Sequence, residues 1–386
     1  MLPMMSGRES TSVPSRSKQM AGRVTMPRLT GSTRAPPDWL AGPMDARLPA
    51  SLRPGDTIAI TAPSSGVAQA LWPRLDAAIA YLRRRGFEVL EGVCLRDDVD
   101  HHVSASREAR ADELMALLVD PDIAAVVPPW GGETGIDVLP YLDFDLLAEC
   151  EPCWYVGFSD ITTTMLPLTL RSGWATLHGQ NLMDTPYAPA SGLLHWLDVA
   201  MSEGGELTQT AATHRRAEGW DDYVADPQVD ELTLTDPTRW SLLGGGTASF
   251  AGPLVGGCIE VLSPLVGTPF AAVPAWAAEQ SQPPIVLLEA AEGNAFEIAR
   301  DLHGMRLAGW FDRCSGVLVG RTPAPDAPTL TQHDAVRDAL GDLDVPVVLD
   351  VDFGHQQPMM PLVLGAPARV DVGPDGQRIT QDLGRS

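Results

Sequence analysis

Apolar strand patterns alternate with helical patterns along much of the chain, and this alternation limits the possible fold more than any other feature. The apolar run "TIAITA" precedes the helical pattern "LWPRLDAAIAYLRRRG", and the helical pattern "SREARADELMALL" precedes the apolar run "DIAAVV". "CWYVGF" and "ITTTMLPLTLRSG" form another such pair. Strands connected by helices in this way form parallel, doubly wound sheets. The sequence therefore predicts an α/β fold.

Polar turns with the sequences "PSSG", "WGGETG" and "GFSD" follow three of the predicted strands. In open parallel sheets, ligands bind beyond the carboxyl ends of the strands. The turns therefore supply the candidates for substrate binding, which are Ser64, Ser65, Gly131, Gly132, Glu133, Ser159 and Asp160. The alternative is that the serine and aspartate side chains only cap their own turns.

Changes in composition divide the chain into four parts. The first part shows no hydrophobic periodicity, which predicts a disordered tail or upstream sequence from a misplaced start. The third is acidic and irregular, and we interpret it as a connector or insert between two domains. The predicted parts are the tail at 1–46, the first domain at 47–185, the connector at 186–245 and the second domain at 246–386.

The connector contains several tryptophans, including Trp196 and Trp220. If they are exposed above a cleft, their indole rings are suited to stacking on a flat ligand. The alternative is that they anchor the connector to the body of the protein. Trp196 and Trp220 are therefore candidates for substrate binding.

Composition excludes several classes of function. The chain has 27 Lys and Arg residues against 50 Asp and Glu residues, a net charge of −23, which argues against a nucleic acid or anionic membrane as partner. The only lysine is Lys18, inside the predicted tail, so we expect no Schiff-base lysine and no phosphate-binding P-loop. No apolar run is long enough to span a bilayer.

The cysteines and histidines do not show the spacing of a metal site. The pair Cys150 and Cys153 has no second half-site, so the five cysteines are interpreted as reduced thiols of a cytoplasmic protein. "DVDFGH" has carboxylates near a histidine but no second ligand cluster. The sequence thus predicts no metal and no cofactor.

Two polar residues of the second domain come at the ends of apolar strands. Glu289 closes "IVLLE", and His355 follows "VPVVLDVDFG". A carboxylate that orients an imidazole is the base half of a nucleophilic triad. The alternatives are a structural histidine and a glutamate that caps the following helix.

In their order along the chain, several segments together resemble the LD-carboxypeptidase family of serine peptidases, which includes the microcin C immunity peptidases. The similarity covers about residues 52 to 371. It rests on "LRPGDTIAITAPSSG", "DPDIAAVVPPWGG", "VLPYLDFDLL", "YVGFSDIT", "LHGQNL", "GPLVGGCIEVLSPLVGTPF", "VLLEAAE", "ARDLHGMRLAGWFDRCSGVLVGR" and "GHQQPMMPLVLG".

The resemblance implies a flavodoxin-like N-terminal domain and a smaller C-terminal α/β domain, with the active site between them, usually in a homodimer. It also implies metal-free hydrolysis of an amide beside a free carboxylate by a Ser-Glu-His triad. It assigns the triad glutamate to Glu289 and the triad histidine to His355, and it adds His178, in "LHGQNL", to the substrate-binding candidates. The long tryptophan-bearing connector is more similar to the immunity peptidases, in which an aromatic residue stacks on a nucleotide base.

The triad serine has no counterpart in this chain, because its slot holds Gly135. The spacing from the glycine pair 131–132 to "LP" at 139–140 is unchanged, so no insertion hides a serine. A family asparagine is likewise replaced by Cys258.

Four interpretations follow from the missing serine. In the first, Thr134 replaces the serine, and in the second, the pair of Glu289 and His355 activates a water or a substrate amine. In the third, the protein binds its ligand without turnover. In the fourth, Gly135 is an engineered knockout. We expect a hydrolase that acts on an amide of a small peptide or an aminoacyl conjugate. The alternatives are a nucleophile-free enzyme of specialised metabolism, catalysing cyclisation, amide transfer or elimination, and a sequestering protein.

Overall fold

The computed structural model describes residues 46–97, 103–374 and 376–384. The predicted tail lies outside this part, apart from Ala46. The strands are β1 Thr57–Ile60, β2 Val67–Ala68, β3 Glu88–Glu91, β4 Arg96–Asp97, β5 Ile123–Val126, β6 Trp154–Gly157, β7 Thr176–His178, β8 Glu206–Thr210, β9 His214–Arg215, β10 Asp236–Pro237, β11 Ser241–Leu242, β12 Ala248–Cys258, β13 Ile285–Glu289, β14 Gly316–Gly320, β15 Val347–Val351, β16 Leu362–Leu364, β17 Pro367–Gly373 and β18 Gly376–Asp382. The α-helices are α1 Trp72–Arg84, α2 Arg107–Leu118, α3 Phe144–Glu149, α4 Thr162–Ser172, α5 Trp196–Ala200, α6 Ile259–Leu262, α7 Val273–Glu279, α8 Ala295–Leu307 and α9 Gln332–Leu340.

Local sequence accounts for several helix ends. The capping boxes of α8 and α9 start at Asn294 and Thr331, whose side chains accept hydrogen bonds from backbone N–H groups of the first turn. α4 ends at Gly173, which has a φ of 66°, a left-handed conformation that glycine adopts without steric cost. These ends set the lengths of the helices that connect the strands.

The first sheet has six strands and forms the body of the N-terminal domain. Strands β3, β1, β5, β6 and β7 run parallel in that order across the sheet, and β16 pairs antiparallel with β7. The five parallel strands follow the flavodoxin-like order 2-1-3-4-5 of a doubly wound sheet. The prediction of an α/β fold with a parallel N-terminal sheet is confirmed.

The second sheet has eight strands, in the order β11, β15, β14, β13, β12, β17, β18 and β8. The four strands β12 to β15 are parallel, and the remaining neighbours pair antiparallel. Cys258 at the end of β12 lies opposite Glu289 at the end of β13. The carboxyl ends of these parallel strands therefore bring residues from distant parts of the chain to one edge.

The connector is more ordered than its composition suggests. It supplies β8 and β11, which are the two edge strands of the second sheet. The buried carboxylate of Asp352 ties it to that sheet, since it accepts hydrogen bonds from the Trp240 indole at 2.7 Å and the Ala212 amide at 3.0 Å. Arg321 completes the cluster with an ion pair of 2.5 Å to Asp352. Such pairing between distant segments leaves no periodic pattern in the sequence.

The two domains share a hydrophobic core. Buried residues of the first domain, such as Tyr155 and Met165, belong to the same apolar cluster as Leu254 and Ile285 of the second. Among the described residues, none of the helices combines the length and the apolarity that a bilayer crossing requires.

We predict that Asp352→Ala lowers the free energy of unfolding by about 3–5 kcal/mol, because it leaves the buried guanidinium of Arg321 without its partner. Equilibrium denaturation by guanidinium chloride measures the change. The matched control is Asp338→Ala, which removes an exposed carboxylate paired with His303 and should change stability little. Equal effects of both variants would contradict a structural role for the Asp352 cluster.

Candidate active site

Three turns of the N-terminal domain meet at the carboxyl edge of its sheet, because β1, β5 and β6 are parallel neighbours. The carboxylate of Asp160 ties them together: its Oδ2 accepts hydrogen bonds from Ser64 Oγ at 2.5 Å and from the Gly135 backbone N–H at 2.6 Å. Burial raises the pKa of Asp160, while the donors Ser64, Gly135 and Thr163 oppose that rise. Ser64 and Asp160 are buried, so the structure favours turn capping over direct ligand contact for both.

The glycines of "WGGETG" allow close packing of the three turns. A Cβ atom at Gly131 would lie 2.7 Å from Ser159 Oγ, and one at Gly132 would clash with the hydroxyls of Ser64 and Ser65. Gly132 also has a φ of 139°. Both positions therefore require glycine for steric reasons, whatever their role toward a ligand.

Ser159 and Ser65 are only partly buried and remain accessible at this edge. Ser159 has a φ of 62°, in the left-handed region, which costs a residue with a Cβ atom roughly 1–2 kcal/mol. Strained residues of this kind cluster at functional sites. Both serines stay candidates for substrate binding.

Gly135 begins a 3₁₀ helix, Gly135–Tyr141, and is buried. A Cβ atom there would lie 2.9 Å from Asp160 Oδ2, so a side chain at this position would press on the carboxylate that ties the turns. The hydroxyl of the adjacent Thr134 accepts a hydrogen bond from Arg110 Nη1 at 3.4 Å. In the described part of the chain, no hydrogen bond joins Thr134 to His355.

Arg110 of α2 supports these turns from the buried side. Its guanidinium donates to the Pro63 carbonyl at 2.6 Å and to both carboxylate oxygens of Asp137 at 2.9 and 3.0 Å. Through these bonds it links the turn after β1 to the 3₁₀ helix that begins at Gly135.

Glu289 and His355 come together at the edge of the second sheet. His355 Nδ1 lies 2.6 Å from Glu289 Oε2; the Glu289 side chain is 0% exposed and the His355 side chain is 13% exposed. Burial opposes the charged imidazole, but the Glu289 carboxylate outweighs burial and raises the pKa of His355. Burial likewise opposes the charged carboxylate, but the imidazole outweighs it and lowers the pKa of Glu289. The second ring nitrogen of His355, Nε2, has no hydrogen-bond partner within the described ranges.

Gly354 makes the approach of these two residues possible. It has a φ of 93°, and a Cβ atom there would lie 2.7 Å from both Cβ and Oε2 of Glu289. A larger residue before His355 would therefore separate the imidazole from its carboxylate. This close contact explains why a glycine precedes the histidine in "DVDFGH".

Two contacts place the Glu289–His355 pair next to the turns of the first domain. The ring of Phe158, in "GFSD", lies 5.0 Å from the ring of His355, centroid to centroid. The backbone N–H of Cys258 donates to the hydroxyl of Thr162 at 3.3 Å. The residues predicted from the two halves of the chain therefore form one site at the junction of the domains.

Glu133 extends the N-terminal turn toward the second domain. Glu133 is exposed as a residue, but its carboxyl group is partly buried. This partial burial, together with the negative charges of Glu292, Asp160 and Glu260, raises the pKa of Glu133. The mouth of the site is thus acidic.

Two of the predicted substrate-binding residues are inaccessible. His178 is completely buried beside Phe158 and Phe353, and burial lowers its pKa to about 4. Trp196 is 0% exposed and donates its indole N–H to Thr185 at 2.9 Å. Trp196 packs in a hydrophobic core cluster and fits the anchoring alternative, whereas His178 is enclosed between Phe158 of the first domain and Phe353 of the second.

Trp220 remains accessible, with 45% of its surface exposed. The connector on which it stands borders the loop of His355, since the backbone N–H of Arg216 donates to the Gln357 carbonyl at 2.9 Å. Arg216 also forms a bidentate ion pair, at 2.9 Å for each bond, with Asp221, the residue after Trp220. Trp220 therefore stays a candidate for substrate stacking.

Cys258 was not predicted as a site residue, although the family resemblance implies an asparagine at its position. Its thiol is buried next to the Glu289–His355 pair and donates to Glu260 Oε2 at 3.2 Å. The departure from the family pattern was the one sequence signal for this position. Proximity along the chain gave none, because Glu289 and His355 come from distant strands.

Two domain families match this chain. The LD-carboxypeptidase N-terminal domain matches residues 58–179, and the LD-carboxypeptidase C-terminal domain matches residues 251–370. Together the two matches span more than half of the chain.

Full-length relatives support the same family. A putative carboxypeptidase of Vibrio cholerae is 27% identical over 324 residues, which cover 82% of this chain and 92% of that protein. The microcin C7 self-immunity protein of Escherichia coli is 23% identical over 86% of this chain and 96% of its own length. A probable murein peptide carboxypeptidase of Bacillus subtilis is 23% identical over 84% and 91%.

Solved structures agree on the fold. A crystal structure of an MccF-like protein of Bacillus anthracis has a TM-score of 0.73 at 20% identity, covering 88% of this chain and 100% of that one. The muramoyltetrapeptide carboxypeptidase of Oxalobacter formigenes has a TM-score of 0.63 at 20% identity, covering 84% and 98%. With both domain families matched in the order of the two sheets, the chain belongs to the LD-carboxypeptidase family.

Proposed function

We propose that this protein hydrolyses an amide bond of a small peptide or aminoacyl conjugate, with water as the attacking group. The observation that carries the proposal is the buried Glu289 carboxylate 2.6 Å from the His355 imidazole, next to a family nucleophile slot that holds Gly135. A histidine oriented by a carboxylate is a suitable general base for water.

The surroundings of Gly135 favour water over Thr134 as the attacking group. Gly135 itself has no side chain, and the Thr134 hydroxyl is hydrogen-bonded to Arg110 rather than to His355. General base catalysis contributes about 10²–10⁴-fold to a rate, so the pair retains catalytic value without a covalent intermediate. Backbone N–H groups of the glycine turn are suited to stabilising the developing oxyanion.

The names of the relatives support the substrate class. They include murein peptide and murein tetrapeptide carboxypeptidases and the microcin C7 self-immunity protein, and structures of the last contain aspartyl sulfamoyl adenosine or adenosine monophosphate. The exposed indole of Trp220 on the connector supports a conjugate with a flat group. By the same resemblance we propose a cytoplasmic homodimer.

We predict that His355→Ala and Glu289→Gln each reduce turnover of a peptide-amide library by about 10²–10⁴-fold, because each removes the oriented base. Liquid chromatography with mass spectrometry measures the products. The matched control is His303→Ala on the surface of α8, which should keep full activity. Full activity of His355→Ala would overturn the proposal.

We predict that Thr134→Ala turns over substrate at the rate of the native protein and that no acyl adduct forms on Thr134. Intact-protein mass spectrometry during turnover detects such an adduct, and its presence would replace water by threonine as the nucleophile. The same reaction in ¹⁸O-labelled water should give a product carboxylate that carries the label. An unlabelled product would point to cyclisation, transfer or elimination, and ligand uptake without product would point to a sequestering protein.

We predict that Trp220→Ala raises KM for an aminoacyl nucleotide by up to about tenfold, which is the upper range of an aromatic stacking contribution. The KM for a plain dipeptide should not change, because it offers no flat group for the indole. Equal changes for both substrates would show that Trp220 acts on the structure of the connector and not by stacking.

A further inference from the structure

A thiol, a carboxylate and an imidazole meet at the edge of the second sheet. They belong to Cys258 at the end of β12, Glu289 at the end of β13 and His355 beyond β15. One potential ligand atom from each residue lies within 4.8 Å of the other two. The strand ends that carry Glu289 and His355 thus also bring a sulfur atom, that of Cys258, to the same place.

An unsatisfied atom in this cluster points to a ligand. Glu289 Oε1 is buried and has no hydrogen-bond partner in the part of the chain that the structure describes. A buried carboxylate oxygen without a donor is unfavourable and rare in folded proteins. A cation held between Glu289 and Cys258 would remove this deficit.

The charges around Cys258 make its sulfur better suited to bind a metal ion than to act as a nucleophile. Burial and the nearby carboxylates of Glu289 and Glu260 raise the pKa of the Cys258 thiol, which donates its hydrogen to Glu260, so a free thiolate is disfavoured at this position. A cation supplies the missing positive charge itself and deprotonates a coordinating thiol. The same carboxylates that suppress a cysteine nucleophile therefore favour a metal ion.

We propose that Cys258, Glu289 and His355 form a binding site for a divalent cation of the zinc class. Sulfur, imidazole nitrogen and carboxylate oxygen are the donors that zinc takes, and three protein ligands leave a fourth position of its tetrahedron open. A thiolate ligand disfavours magnesium and calcium. On binding, the sulfur–metal bond replaces the sulfur–hydrogen bond and the proton goes to solvent.

Binding requires only a local adjustment. Ligand atoms around a tetrahedral zinc ion stand roughly 3–4 Å apart. The three potential ligand atoms lie within 4.8 Å of one another, so the adjustment in any of the three distances is less than about 2 Å. The hydrogen bond between His355 and Glu289 opens as both groups turn to the ion. A bound cation and the proposed base therefore exclude one another; this consequence rests on the proposed function, whereas the binding does not.

Cobalt(II) titration of the full chain after chelator treatment tests the site without any substrate. We expect one Co²⁺ per chain, with a thiolate-to-cobalt charge-transfer band in the near ultraviolet that Zn²⁺ abolishes by displacement. Cys258→Ser should remove the band, and Glu289→Gln and His355→Ala should each weaken Co²⁺ affinity at least about tenfold. Magnesium should not compete.

The matched control is Cys314→Ser, which removes a buried thiol outside the site and should leave the band unchanged. Circular dichroism checks folding of each variant, and Cys258→Ala serves as the second variant if Cys258→Ser does not fold. Absence of the band in the native chain, or its persistence without the Cys258 thiol, overturns the proposal. The cobalt band of the native chain tests the metal site, and the turnover of His355→Ala tests the proposed function. The two readouts are independent, so the failure of one proposal is distinguishable from the failure of the other.

Discussion

The candidate site depends on one buried carboxylate, that of Asp160. It accepts hydrogen bonds from the turn after β1, through Ser64, and from the turn after β5, through Gly135, while it belongs to the turn after β6. A carboxylate can be buried only when donors replace its water, so the three turns and this group stabilise each other. Gly131 and Gly132 permit the approach, since larger residues would collide with the serines of the neighbouring turns.

The second constraint is the junction between the parallel strands of the two sheets. Glu289 and His355 need Gly354 to approach each other, and Phe158 and Thr162 of the first domain contact His355 and Cys258 of the second. The imidazole therefore stands beside the N-terminal turns because both sheets direct the carboxyl ends of their strands to one place.

Gly135 and Cys258 are the two positions of the candidate site at which this sequence departs from the pattern that the family resemblance implies. The packing around Gly135 is close, with Asp160 Oδ2 2.9 Å from the place of a Cβ atom, so the glycine is integrated into the turn. The sulfur of Cys258 lies close to the carboxylate of Glu289, whose Oε1 has no hydrogen-bond partner among the residues that the structure describes. Both residues belong to the candidate site, around which the two domains of the family are retained.

The sequence by itself determined the α/β class and the strand-end turns, because hydrophobic periodicity is a local property. The family resemblance singled out Glu289 and His355, and the structure places their side chains 2.6 Å apart. The sequence did not show that His178 and Trp196 are buried, since burial depends on which distant segments cover a residue. It also gave no sign of the order in the connector, and it marked Cys258 only as a departure from the family pattern, without its neighbours Glu289 and His355. Those features were decided by the tertiary structure alone, because pairing between β-strands joins residues that are far apart in the chain and leaves no periodic signal in either partner.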